Sequence, residues 1–189
     1  MKYFTYELIA AANDWIDQTD KERRLAEKRA ASVFKKYLSD LESLKPRISA
    51  AAWAFFRHGF GEKSLHDARL LSLRIGDGLD YVPDGVSPFL VNRKHTSAII
   101  SFLNYEQDQH YYLELRGVRR VRSDLLVDET MFAKSLGSLY TYELTASGAK
   151  GLQLGFLFAS GGTVVIEFQR LVFRKWRIKR EYEVGEMYR

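Results

Sequence analysis

The stretch Leu65-His66-Asp67-Ala68-Arg69-Leu70-Leu71-Ser72-Leu73 marks the point at which the apolar pattern of the chain changes its period. Before it, apolar residues recur at three- and four-residue spacing, as they do along one face of a helix. From its last three residues onward, residues 71–75 alternate between apolar and polar side chains, which is typical of a half-buried β-strand. We therefore predict an α+β protein in which 1–63 form a helical region and 64–189 an antiparallel β region, together one compact structural unit.

Three helices are expected in the N-terminal region. Thr19-Asp20-Lys21-Glu22 has the form of a capping box, so the longest helix should begin near Asp20 and end near Ser43, ahead of Pro46. Pro46 is expected in the first turn of the next helix, which should stop at Gly59, because proline suits the first turn and glycine the end. A shorter helix is expected over 6–16.

The β region is expected to form an antiparallel meander, as one sheet or a partly closed sandwich against which the helices pack. The strands are separated by short polar or glycine-rich connections, whereas parallel neighbours would need crossovers of a dozen residues or more. After the first strand, the pattern predicts strands over 79–82, 98–105, 111–116, 139–146, 152–158 and 163–176.

The composition excludes several chemistries. The 189 residues include no cysteine, so disulfides, thiolate nucleophiles and cysteine-ligated metal sites are excluded. No segment approaches the roughly 20 apolar residues that span a bilayer, and the N-terminus lacks the layout of a secretory signal. We expect a cytoplasmic protein without membrane association. The net charge of +5 is a weak indication of a polyanionic partner, since 29 basic and 24 acidic residues are nearly balanced.

The His66-Asp67 pair resembles the dyad of metal phosphohydrolases, which needs further histidine and aspartate ligands. The other histidines, His58, His95 and His110, fall on a helix end, a loop and a turn, so we predict no metal site and no cofactor. The simpler interpretation is that the pair forms local hydrogen bonds that fix the start of the first strand. A small-molecule enzyme with a site near His66 and Asp67 is retained as a third hypothesis.

No catalytic residue can be nominated from the sequence. No serine has the spacing of a nucleophile elbow, and the glycine-rich segments lack the lysine and helix of a phosphate-binding loop. Glu114 with Glu143 or Glu167 are examples of carboxylates on neighbouring strands, and solvated sheet faces are the expected environment for them.

A basic, aromatic run on the last strand is the strongest candidate surface, with Arg116 and Arg120 as possible extensions. Cations bind phosphates and exposed rings stack on bases, so this run could bind single-stranded nucleic acid. Alternatively, the charges protect an edge strand or contact a protein, while Val172, Trp176 and Ile178 form a core-facing row. The run consists of Arg170, Arg174, Lys175, Trp176, Arg177, Lys179 and Arg180.

Three segments resemble a family of bacterial proteins known as a domain of unknown function. They are Met1-Lys2-Tyr3-Phe4-Thr5 with Glu7-Leu8, then Leu44-Lys45-Pro46, and then Ser64-Leu65-His66-Asp67-Ala68. The resemblance implies bacterial origin, a cytoplasmic location and a helical front before a β-rich region, and it brings no activity, cofactor or catalytic residue. The Leu-His-Asp opening before a β-meander is also similar to that of some bacterial immunity proteins, which implies a binding role.

The leading hypothesis is therefore a non-enzymatic interaction module that meets a protein partner through a sheet edge or open face, with immunity-like inhibition as its sharpest form. The alternative is a nucleic-acid-binding protein that uses the basic strand over 170–180. The two hypotheses differ in salt dependence, because phosphate contacts make binding fall steeply with ionic strength.

Overall fold

The computed structural model describes residues 1–12, 17–57, 65–76, 79–82, 89–92, 96–124 and 138–178, and for 79–82 and 89–92 it describes the backbone alone. Within these residues, three α-helices precede two four-stranded antiparallel sheets, so the predicted α+β class is confirmed. The helices are α1 (Tyr6–Ala12), α2 (Asp20–Glu42) and α3 (Ala50–Arg57), and a 3₁₀ turn covers Lys45–Arg47. The strands are β1 (Arg69–Gly76), β2 (Leu79–Val82), β3 (Phe89–Asn92), β4 (Ser97–Leu103), β5 (Gln109–Arg116), β6 (Arg120–Asp124), β7 (Leu139–Ser147), β8 (Gly151–Phe158), β9 (Thr163–Phe168) and β10 (Arg170–Arg177).

The capping box sets the start of α2, as predicted. The Thr19 amide donates to Glu22 Oε2 at 2.8 Å, and the Glu22 amide donates to Thr19 Oγ1 at 3.3 Å. Each residue thereby satisfies an amide that the helix itself leaves without an acceptor. The helix ends at Glu42, one residue before the predicted end.

The prediction for Pro46 is wrong in detail. Pro46 lies in the separate 3₁₀ turn, and Ile48 behind it is extended, with φ −132° and ψ 162°. The hydroxyl of Ser49 then accepts from the Ala52 amide at 3.2 Å, so Ser49 caps α3 and the proline does not open it. The predicted stop at Gly59 and the end of the first helix, 13–16, lie outside the described residues.

The strands form two sheets. Sheet A has the order β1-β4-β5-β10, sheet B has the order β6-β9-β8-β7, and β2 pairs with β3 in a separate hairpin. The expectation of one strand over 163–176 is wrong, because the chain leaves sheet B and enters sheet A at Gln169. Strand β9 pairs with β6, whereas β10 pairs with β5. The chain thus crosses between the sheets twice, once from β5 to β6 and once from β9 to β10.

The two sheets pack face to face around the core. Alternate side chains of β4, β5 and β10 meet those of β7, β8 and β9, and the rings of Phe102 and Phe156 lie 5.1 Å apart across the interface. Helix α3 packs at its side, where Phe55 stacks on Phe173 of sheet A at 4.5 Å and on Tyr142 of sheet B at 5.1 Å. The helical front therefore completes the core of the sandwich.

The segment Met1 to Phe4 lies over the outer face of sheet B. The Glu143 side chain of β7 is fully buried and accepts hydrogen bonds from the amides of Tyr3 at 2.8 Å, Phe4 at 3.2 Å and Lys2. Gly155 on the adjacent strand β8 leaves room for Met1, since a Cβ there would come within 3.0 Å of the Met1 side chain. One carboxylate thus fixes the start of the chain on the sheet.

Replacing Gly117 by alanine should destabilise the corner between the sheets. Gly117 has φ +67°, and an added Cβ would lie 2.8 Å from Oε1 of Gln169. We expect the free energy of unfolding to fall by about 2 kcal/mol, from backbone strain together with the close contact. Denaturant titration of Gly117→Ala beside Gly148→Ala measures it, since Gly148 has φ +66° with nothing within 4 Å of its Cβ position. Equal losses in the two variants would contradict a role for the contact.

Candidate functional site

The outer face of β5 and β10 brings together His110, Tyr112, Arg174 and Trp176, which we call the aromatic-basic face. The strand register places Trp176 opposite His110 and Arg174 opposite Tyr112, so all four side chains leave the sheet on the same side. The ring of Trp176 meets that of His110 edge-on at 4.4 Å and lies 6.3 Å from that of Tyr112. Trp176 remains 45% exposed. A large ring is therefore held in place and still open to solvent.

The turn between β4 and β5 borders this face and is held by Asn104. Its Oδ1 accepts from the amides of Asp108 at 3.0 Å and Gln109 at 2.8 Å, while its Nδ2 donates to the carboxylates of Glu106 at 2.7 Å and Asp108 at 2.8 Å. Tyr105 projects from this turn and is 72% exposed. The hydrogen bonds fix the backbone of the turn, in which Tyr105 lies two residues beyond Leu103, the β4 residue that pairs with His110.

Arg116 and Arg170 lie opposite each other at the other end of the same face. Arg116 donates from Nε to Oε1 of Glu114 at 2.8 Å and from Nη2 to Oε2 at 3.1 Å. This bidentate pair raises the pKa of Arg116 and occupies much of its hydrogen-bonding capacity. Arg170 is exposed. Arg116 therefore acts first as the partner of a buried carboxylate.

Arg120 does not join the aromatic-basic face. It belongs to β6 of sheet B, where its Nη1 lies 3.9 Å from Oε1 of Glu167. Arg122 of the same strand donates to that oxygen at 3.3 Å, and Ser147 donates to Oε2 at 3.1 Å. These residues form a row of interacting polar side chains on the outer face of sheet B.

The expectation of a core-facing row of Val172, Trp176 and Ile178 is wrong. The residues of β10 that face the core are Leu171 and Phe173, which sit one position out of phase with Trp176. Lys175 and Arg177 follow on the core-facing side, beyond the apolar part, and are exposed. Strand β10 is an edge strand of sheet A, as the basic run indicates. Lys179 and Arg180 lie outside the described residues.

His66 and Asp67 hold the start of β1 against β7. His66 Nδ1 lies 2.8 Å from Asp67 Oδ2, and the Ser138 hydroxyl donates to Asp67 Oδ1 at 3.2 Å. The Asp67 amide donates to the Leu139 carbonyl at 2.8 Å, and the Leu139 amide returns a bond to the carbonyl of Ala68 at 2.7 Å. Asp67 has φ 61°, a conformation that aspartate tolerates in a tight turn. Across the described ranges, no three histidine or carboxylate side chains converge as metal ligands.

The carboxylates expected on solvated faces are in part buried. Glu114 and Glu143 are nearly inaccessible, so the expectation is wrong for both. Glu114 is paired with Arg116 on sheet A, Glu143 binds amides on sheet B, and Glu167 meets Arg122. Each is engaged by its own partners, and none of them forms an acid–base pair with another. Alternating sequence pattern cannot reveal the burial of Glu143, because the segment Met1 to Phe4 that covers it is distant in the chain.

Comparison of the chain with protein-family models, with curated proteins and with solved structures found no match. The resemblance to a bacterial family of unknown function and to immunity proteins stays a prediction. Among the helices of the described residues, none is long and apolar enough to cross a membrane.

Proposed function

We propose that this chain is a non-enzymatic interaction module of the bacterial cytoplasm that binds a protein partner through the aromatic-basic face. The observation that carries the proposal is the exposed ring of Trp176, held edge-on by His110 and flanked by Tyr112 and Arg174. Tryptophan, tyrosine and arginine dominate the binding energy of protein interfaces, and a ring already held in place loses little entropy on binding. Inhibition of a toxin, as by an immunity protein, is the sharpest form of this proposal.

The surroundings of the face favour a protein over a polyanion. Asp108 and Glu106 stand in the rigid turn at the Trp176 end, and Arg177 Nε lies 3.9 Å from Asp108 Oδ2. Carboxylates repel phosphates, whereas mixed charges around an aromatic centre match the polar rim of a protein interface.

A matched set of variants tests this proposal. The wild-type chain, Trp176→Ala and Leu25→Ala are immobilised and exposed to nuclease-treated lysate of the native host. Leu25 is the control because it is 68% exposed on α2, outside the face. We expect the wild type and Leu25→Ala each to retain one protein in stoichiometric amount. For Trp176→Ala we expect the Kd of that protein to rise about thirtyfold, which corresponds to a loss of about 2 kcal/mol of binding free energy. Equal retention by all three would contradict the proposal.

Single-stranded nucleic acid is the second candidate, favoured by one observation. Arg170 and Arg174 are exposed on the same sheet face as Tyr112 and Trp176, an arrangement that offers cations to phosphates and rings to bases. In that case the captured material is lost on nuclease treatment, binding falls steeply with salt, and Arg174→Ala weakens it independently of sequence. A flat salt response removes this candidate.

A further inference from the structure

On the side of β10 that faces away from β5, backbone amides and carbonyls have no hydrogen-bond partner among the described residues. The Asn104 amide donates to the Gln109 carbonyl, so 104 and 109 form a hydrogen-bonded pair at the end of the β4–β5 ladder. Because such pairs alternate along an antiparallel ladder, the backbone groups of odd-numbered β5 residues bond β4, and those of even-numbered residues point toward β10. In agreement, the Ile178 amide donates to the carbonyl of Asp108 at 2.7 Å. Even-numbered residues of β10 therefore bond β5, and the amides and carbonyls of Phe173, Lys175 and Arg177 point away from the sheet.

Of the other edge strands of the two four-stranded sheets in the described part of the chain, β7 is covered, β1 is interrupted and β6 has only five residues. The edge of β7 is met by α2, because the Leu144 amide donates to the Tyr37 hydroxyl at 3.3 Å, and the first residue of β7 pairs with Ala68. The β1 edge is broken by a bulge between Leu70 and Ser72. By contrast, β10 keeps one register over all eight of its residues. A long regular edge is a template for strand pairing.

Strand β10 itself carries basic charges only, and the carboxylate of Asp108 lies in the turn at its end. Arg170, Arg174, Lys175 and Arg177 are exposed, and the strand contains no acid. Asp108 lies 3.9 Å from Arg177 across the sheet, which is a weak contact at the surface. Over its last four residues, every side chain of β10 is exposed. An added strand would therefore meet cations on both sides of the sheet and would match them with carboxylates.

We propose that β10 receives an extended acidic segment of the partner as a fifth strand of sheet A, bonded to the backbone groups of Phe173, Lys175 and Arg177 that point away from β5. This inference rests on the proposed function, because it specifies which part of the protein partner docks beside the aromatic-basic face. The backbone bonds give affinity, and alternate carboxylates opposite Lys175 and Arg177 give specificity. On the opposite face of the sheet, side chains of the added strand would lie next to Arg174 and Trp176.

The probe is a fluorescent peptide of about ten residues that alternates glutamate and threonine, long enough for one strand. Its binding to the full chain is measured by fluorescence anisotropy at physiological salt. We expect saturable binding of this peptide, at least tenfold weaker binding of the same peptide N-methylated at every residue, and no binding of the peptide that alternates lysine and threonine. Methylation removes the amide donors and keeps the charge, so it separates strand pairing from simple ionic attraction.

Two substitutions at one position give the matched pair on the protein side. Lys175→Thr removes the charge and keeps the backbone amide that points away from the sheet. Lys175→Pro removes both the charge and this amide. It leaves the hydrogen bonds to β5 intact, because an edge strand accepts proline where the amide points away from the sheet. We expect the proline variant to bind the peptide at least fivefold more weakly than the threonine variant, with equal thermal stability checked by circular dichroism.

Equal affinity of the methylated and unmethylated peptides would overturn the inference, and so would the absence of peptide binding, which would leave the charges as protection against self-association. The two proposals fail separately. If Lys175→Pro still captures the partner as well as Lys175→Thr does while Trp176→Ala does not, strand addition is wrong and the proposed function stands. If Trp176→Ala captures the partner normally, the proposed function itself is wrong.

Discussion

Replacing Glu143 by alanine is expected to lower the free energy of unfolding by about 3–5 kcal/mol. The carboxylate is fully buried and accepts from the amides of Tyr3, Phe4 and Lys2. Alanine leaves these amides without an acceptor and opens a space beneath the segment that they belong to. Chemical denaturation followed by circular dichroism measures the loss.

Two further variants show whether the loss comes from these hydrogen bonds. Glu143→Gln keeps one carbonyl oxygen and should lose less, about 1–3 kcal/mol. Glu167→Ala removes a partly exposed carboxylate that is paired with Arg122 on the same outer face, and should cost about 1 kcal/mol or less. A Glu143→Ala variant as stable as Glu167→Ala would contradict the role of the buried carboxylate.

Replacing Phe55 by alanine is expected to destabilise the protein by about 3–5 kcal/mol. Phe55 is buried, and its ring stacks on Phe173 at 4.5 Å, on Tyr142 at 5.1 Å and against Tyr111 at 5.5 Å. The substitution removes contacts to both sheets at once, so the cavity cannot close without moving α3. Thermal melts should therefore show a clearly lower Tm.

The same variant tests whether the helical front and the sandwich unfold together, as one compact structural unit would. Circular dichroism at the helical band and infrared absorption at the β-sheet amide band should give coincident transitions in wild type and Phe55→Ala. Tyr105→Ala is the control, because Tyr105 is an exposed aromatic residue, and it should change stability by about 0.5 kcal/mol or less. A helical transition that precedes the loss of the β structure would contradict the prediction of one unit.

Local signals in the sequence predict the elements whose ends are set by nearby residues. The start of α2 follows from Thr19 and Glu22, three positions apart, and the helix begins at Asp20 as expected. The alternation of apolar and polar residues over 71–75 likewise predicts β1. The break at Gln169 has no such signal, because neither glycine nor proline interrupts 163–176. The break is set by a change of pairing partner, because β9 pairs with β6 and β10 pairs with β5. Both partner strands are distant in sequence from Gln169.

For the candidate site too, the sequence predicts the local features and not those that depend on nonlocal packing. The basic residues of β10 and its position at an edge are evident from the sequence, whereas the phase that turns Trp176 outward depends on the burial of Phe173 against Phe55 of α3. His110 attracts attention in the sequence only as a turn histidine. Its contact with Trp176 arises because β10 returns to pair with β5 from far along the chain. Nonlocal pairing of this kind leaves no periodic trace.

The most direct test of the partner-binding account is site-specific photocrosslinking in living cells. A photoreactive phenylalanine analogue replaces Tyr105, beside the aromatic-basic face, or Leu25 on α2, two positions of similar exposure at 72% and 68%. We expect one crosslinked protein species from position 105, insensitive to nuclease, and none from position 25. The same products from both positions, or a nuclease-sensitive product from position 105, would contradict it.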